Sequence, residues 1–147
     1  MFKNDNSKAT GKLTVEIKND KGVVIETREV KNLVVDDGLE YIASRMKDTT
    51  ATAMSHMGIG TGSTAAAAGN TALETEAARV ALTSTTVTAN AVAYVASFGA
   101  GTGTGAITEA GILNAASGGT LLCRTVFSVV NKGASDSMTI TWTVTIS

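Results

Sequence analysis

A chain of 147 residues is long enough for one domain that buries roughly 70% of its unfolded surface. A formal net charge of -1 argues against a nucleic-acid or anionic-membrane partner, and a single cysteine, Cys123, excludes an internal disulfide and a cysteine zinc cluster. The polar opening MFKNDNSKATGK argues against a signal peptide and a transmembrane segment, and one thiol suits a reducing compartment.

Charge is unevenly spread. Residues 1–48 hold 18 of the 25 charged side chains; the rest of the chain holds Glu74, Glu76, Arg79, Glu109, Arg124, Lys132 and Asp136. Thr, Ser, Asn and Gly supply the polarity there. Such a surface fits either a Thr-faced β domain or one covered by copies of itself or by a partner.

In chain order, residues 1–11 read as a flexible or partner-bound arm, and residues 12–147 as one β domain. Leu13, Val15 and Ile17 alternate with Thr14, Glu16 and Lys18, the period of a half-buried strand. Asn19-Asp20-Lys21-Gly22 is turn chemistry, and Val23 to Val30 returns as a second strand. Asp36-Asp37-Gly38 opens the one expected helix. Asp37 is its expected N-cap, with Glu40 three residues on, and Leu39, Ile42, Ala43 and Met46 form its expected apolar face. Met54 to Ile59 reads as a short strand and Ser63 to Asn70 as a surface loop. Thr71 to Ala78 can form one helical turn. Arg79 to Thr88 and Ala91 to Phe98 read as a hairpin across Ala89-Asn90.

The run from Tyr94 to Phe127 alternates strands with glycine turns. Val92, Tyr94, Ala96 and Phe98 share a face. On the next long strand Leu121, Cys123, Thr125, Phe127 and Val129 are expected inside, with Arg124 and Ser128 outside. In the last strand Met138, Ile140, Trp142, Val144 and Ile146 point one way and the Ser/Thr residues the other, so a one-residue slip would expose Trp142. The expectation is a mainly β fold: an antiparallel β-sandwich, jelly-roll-like, of about eight strands with one short helix. No proline protects its edge strands, so burial of those edges in an assembly would serve instead.

No catalytic, cofactor or metal residues are expected. His56 has no recognisable nucleophile motif beside it, and Cys123 falls on a core face as an inert thiol. Gly101, Gly103, Gly105 and Ala106 loosely match a dinucleotide string, but a strand follows where a helix is required. Glu74 and Glu76, Asp36 and Asp37, and Glu109 offer carboxylates for glycoside chemistry, yet the aromatic residues fall mostly on core faces rather than on a sugar platform.

Four blocks carry a resemblance: KNLVVDDGLEYIASRM, MSHMGIGTGSTAAAAGNTALETEAARVAL, FGAGTGTGAITEAGILNAASGGTLLCRTVF and MTITWTVTI. In this order, across residues 31–147, they resemble small β-rich virion proteins of tailed bacteriophages, variously capsid decoration or cement proteins, head fibres or tail fibres. The resemblance implies a structural protein of the virion, made in the host cytoplasm and placed on the capsid surface. Its implied partners are the major capsid protein and itself, as a homodimer or homotrimer. The alternative it implies is a tail-fibre, spike or head-fibre module that binds host glycan. Phe2, Lys3, Met54 and His56 are the expected interface residues.

Overall fold

The computed structural model describes residues 8–47 and 51–147. Its elements are β1 (Ala9–Lys18), β2 (Val24–Val34), α1 (Asp36–Lys47), β3 (His56–Gly60), β4 (Glu76–Ala81), β5 (Ser84–Thr88), β6 (Ala91–Phe98), β7 (Gly105–Leu113), β8 (Leu121–Lys132) and β9 (Ser137–Ile146). All pairings are antiparallel. The nine strands form one sheet in the order β4-β3-β7-β8-β2-β1-β9-β6-β5, curled into a half-barrel. The mainly β antiparallel class with one helix is therefore present, with nine strands rather than about eight.

The sheet turns its corner at β2. Val24 to Asn32 pair along β1, whereas Leu33 and Val34 pair with Arg124 and Cys123 of β8. This divides the sheet into two wings, β2-β1-β9-β6-β5 and β4-β3-β7-β8. Their inner faces share one core. Leu13, Val15, Ile17, Phe98, Ile140 and Trp142 come from the first wing, and Met57, Ile59, Ile107, Ile112 and Val130 from the second.

The alternation read in β1, β6 and β9 is the alternation of burial, except that Ile146 is exposed at the open end. Strand pairing begins at Ala9, inside the segment expected as an arm, because Ala9 to Gly11 pair with Ile146 to Val144. Residues 1–7 lie outside the described residues.

Further expectations need correction. The segment from Arg79 to Thr88 is two strands, not one. β4 ends one edge of the sheet and β5 the other, and the chain crosses between them at Leu82 and Thr83, whose N–H groups bond Ser55 and Val95 respectively. The turn after β5 uses Ala89 at φ 53° rather than Asn90. Thr71 to Ala78 forms no helical turn, because the N–H groups of Glu74 and Thr75 bond a carboxylate from β7.

On β8, pairing shifts opposite Ile107 to Glu109 and again opposite Ile112 to Leu113. Leu122 and Cys123 both reach the main core, Val130 replaces Val129 inside, and Arg124 is buried rather than outside.

Helix α1 starts at Asp36, so Asp37 is not its cap. The N–H groups of Val35 and Asp36 bond the carbonyls of Leu122 and Ala68, and Leu39 N–H bonds the Val35 carbonyl. Its inward face is Gly38, Tyr41 and Ile42, while Leu39 and Met46 are exposed, Met46 by 85%. Gly38 sets this rotation: a Cβ there would overlap the Leu122 carbonyl, so the helix lies directly on β8.

In an open helix, Gly→Ala stabilises by about 1 kcal/mol. At Gly38 the overlap with rigid backbone outweighs that gain, since overpacking costs about 1–3 kcal/mol. Gly38→Ala should lower the urea midpoint by an amount equivalent to about 1–2 kcal/mol. A variant as stable as the parent would show that α1 does not rest on β8 in this way.

Candidate functional site: a buried carboxylate under a glycine-rich strap

The outer face of the second wing is covered by residues 61–75, which run as a strap across β3, β7 and β8. Its floor is cleared by glycine. Gly58 pairs directly with Gly111, and Gly60 with Glu109. Leu73 of the strap lies over both Gly58 and Gly111, where any Cβ would meet its methyl groups within 3.0 Å. The next position along this row, Arg124, pairs with Gly111 from the β8 side.

Glu109 is fully buried in this layer and Arg124 is 2% exposed. Glu109 Oε1 accepts from Gly62 N–H at 3.1 Å and Thr75 N–H at 2.7 Å. Oε2 accepts from Glu74 N–H at 3.0 Å and from Arg124 Nε–H at 2.9 Å. Arg124 Nη2 also lies 2.9 Å from Oε2, at an angle too oblique for a hydrogen bond, and Nη1 donates to Asn70 Oδ1 at 3.0 Å. Thr108 adds a bond from its hydroxyl to the Gly62 carbonyl at 2.8 Å. Burial by itself raises the Glu109 carboxyl. The N–H groups of Thr75 and Glu74, then Arg124, then Gly62, outweigh burial and hold it below its ordinary value.

This arrangement limits the chemistry. A carboxylate has about four acceptor positions, and here each oxygen already takes two donors. Glu109 therefore has no lone pair free to take a substrate proton. Glu74 accepts from Thr64 N–H in the strap, and Glu76 holds Arg79, which in turn bonds the carbonyls of Ala115 and Gly118. The carboxylates considered for glycoside chemistry are thus tied to backbone or to arginine. Asp36 and Asp37 sit in the first turn of α1, away from this layer.

Of the expected interface residues, Phe2 and Lys3 lie outside the described residues. Met54 is buried, so its side chain has little surface to offer. His56 is half-buried, its Nδ1 2.8 Å from Ser55 Oγ. Among the described residues no carboxylate is hydrogen-bonded to this ring, so the pair lacks the orienting acid of a catalytic triad. Cys123 is fully buried, and burial pushes its thiol well above the ordinary range. Gly101 and Gly103 take positive φ in the turn before β7, and β7 follows where a nucleotide loop would need a helix. Tyr94, facing Tyr41 in the core, is pushed up to about 12, mainly by burial.

Sequence reading missed the Glu109–Arg124 pair. Its one signal was a lone carboxylate and a lone arginine, each within an apolar strand in a charge-poor region. Among the described residues no three His, Cys, Asp or Glu side chains converge, and no helix is long and apolar enough to cross a membrane. No protein family, no curated protein and no solved structure matches this chain.

Removing one partner of a buried ion pair costs about 3–5 kcal/mol. Glu109→Gln and Arg124→Met should each lose about that much stability, and the double variant less than their sum. The pH dependence follows from the lowered carboxyl. Its stabilisation is complete above the ordinary value of 4.5 and is lost as pH falls below 4.5 through the folded-state value. Urea midpoints measured from about pH 6 to about pH 3 should fall for the parent more steeply than for Glu109→Gln. Parallel slopes would show that Glu109 is not held ionised by the strap.

Proposed function

We propose that this protein is a phage capsid decoration or cement protein, which binds the outer surface of the major capsid protein lattice and bridges neighbouring subunits. One observation carries the reading. Apolar side chains are exposed at both ends of β2. At its start the hairpin tip presents Val23, Val24 and Ile25, exposed by 55%, 46% and 53%. Beyond its end, α1 presents Leu39 and Met46. Contiguous exposed apolar groups mark docking surfaces. Beyond Ile25 the remainder of β2 runs roughly 30 Å along the strand before α1 begins.

A rigid sheet with a docking surface at each end suits a clamp. Once one end is bound, the other reaches its neighbour at high effective concentration, so weak contacts add up across a lattice. The hairpin tip thus takes the place of Met54 as the interface candidate on the described surface. In this reading the two wings over a shared core are a sandwich that remains joined at one corner by β2, and its closure is jelly-roll-like. The protein acts on the virion after synthesis in the host cytoplasm, with further copies of itself and the capsid lattice as partners.

A second reading, a tail-fibre, spike or head-fibre module that binds host glycan, rests on a different surface. A groove of about 670 Å³ on the outer face of β2, β1 and β9 is lined by Thr10, Thr14, Thr141, Thr143, Lys12 and Lys31. Its hydroxyl and ammonium groups can hydrogen-bond a sugar. It offers no aromatic face for stacking, which favours the first reading.

The two readings differ in stoichiometry and in the residues they need. Purified particles should carry on the order of hundreds of copies, consistent with many linked weak sites. Replacing Val24 and Ile25 together by Asp should leave the fold intact and weaken binding to isolated shells at least about tenfold, since each buried apolar side chain contributes about 1.5–3 kcal/mol. A handful of copies per particle, or shell binding indifferent to the hairpin tip, would remove the cement reading.

A further inference from the structure

The two edges of the sheet are protected very differently. On β4, Glu76 and Arg79 are paired, and Arg79 reaches over to the carbonyls of Ala115 and Gly118 in the turn before β8. Charge and a covering loop are ordinary ways to block an edge. β5 has neither. Ser84–Thr88 is Ser-Thr-Thr-Val-Thr, exposed at every residue, in unbroken register with β6. The sequence holds no charged residue between Arg79 and Glu109 and no proline anywhere. β-branched residues, no charge and no bulge make this edge competent to accept another strand.

Beside that edge the inner face is open. A cavity of about 340 Å³ lies between α1 and the ends of β5, β6 and β9, lined by Tyr41, Ile42, Val87, Tyr94, Val144 and Ile146 among others. Val87 is 69% exposed and Ile146 42%. What fits here is an extended backbone whose inward side chains are short and uncharged, and β5 itself, with Thr85 and Val87 inward, meets that description. Antiparallel pairing of β5 with its own copy is two-fold symmetric and self-complementary. Centred on Thr86, it sets Ser84 opposite Thr88 and Thr85 opposite Val87. This register keeps inward residues opposite inward residues, so both core faces stay on the same side. No charge meets like charge along it.

We propose that two copies of this chain join edge to edge at β5, centred on Thr86, so that their sheets become continuous and the cavities beside Val87 merge. The proposal names a surface for the self-association that a multivalent binder uses, but it concerns the isolated chain. Its failure would leave the capsid reading to be judged separately by the hairpin-tip variant.

The purified chain should sediment and scatter light at twice 14.9 kDa across a wide concentration range. Val87→Lys, which puts a charge at the joint without touching the backbone, should halve that mass and leave the far-ultraviolet spectrum unchanged. Opposed residues of an antiparallel pair have Cα atoms about 4.5–5.5 Å apart, within disulfide range. Thr86→Cys should therefore oxidise to a covalent dimer on a non-reducing gel, while Ser63→Cys on the strap should not. The native Cys123 is buried and will not compete. A monomer, a trimer, or a dimer that survives Val87→Lys without Thr86→Cys cross-linking would overturn the proposal.

Discussion

Glu109 fixes the outer layer of this protein because it closes both ends of the strap. Gly62 N–H at the start and the Glu74 and Thr75 N–H groups at the end converge on a single carboxylate. Taking that charge out of water costs several kcal/mol. The cost is offset because donors occupy both oxygens, and Arg124 brings a compensating charge that Asn70 also holds. Without Glu109, three backbone N–H groups and a guanidinium would be left facing one another. The glycines follow from the same constraint. A Cβ at Gly60 or Gly62 would press within 2.6 Å of Glu109 Oε1, so the carboxylate can occupy this place only where those residues have no side chain. The GIGTG block and the ITEAGI block, some 50 residues apart, are two halves of one contact.

A second constraint lies beneath it. The chain must make one sheet serve as two layers, and β2 does this by changing partners after Asn32. Directly after the corner comes α1, which packs Tyr41 and Ile42 against the core and whose approach to β8 depends on Gly38. In the core, Trp142 is fully buried with Leu13 directly opposite on β1. At the far end Lys132 is itself buried. Its ammonium donates to the carbonyls of Gly99 and Asp136 at 2.8 Å each, tying the turn before β7 to the turn before β9. Burial pulls that ammonium below its usual range and the Asp136 charge partly opposes the shift. A buried lysine thus joins two turns at one end of the half-barrel, while the end beside β5 stays open.

The parts of the fold legible in the sequence are those where one face is wet and one is dry. β1, β6 and β9 meet that condition, and their period of two survives into the structure with Trp142 at the centre. It fails where both faces are covered. β7 and β8 lie between the core and the strap, so Leu121, Leu122, Cys123 and Arg124 are all buried and alternation carries no signal. A shift in pairing between Val126 and Val130 then brings Val130 inside and leaves Val129 outside, and nothing in LLCRTVFSVV marks where it falls. The helix was legible as a helix, but its inward face was set by a close approach at Gly38 rather than by its largest apolar side chains. The Thr71 to Ala78 segment has helix-compatible residues that were claimed by a carboxylate distant in sequence. Tertiary hydrogen bonds outweighed local propensity there.

The strap also bears on the scarcity of charge after residue 48. A sheet face with few charged side chains suggests a partner, and for the second wing that partner is the chain itself. Residues 61–75 cover it, and the charges there, Glu109 and Arg124, are spent inside. Among the described residues the first wing has no such cover. On its outer face Thr139, Thr141, Thr143 and Thr145 stand opposite Ser97, Val95, Ala93 and Ala91, a surface of short side chains that lose little rotamer freedom on contact. The charged residues gather instead on β1 and β2, where Lys12 pairs with Glu29 and Arg28 with Glu26. The uncovered, charge-free part of the molecule therefore narrows to β5, β6 and β9. That charge-free surface ends at β5, the same edge where the sheet is left without a neighbouring strand among the described residues.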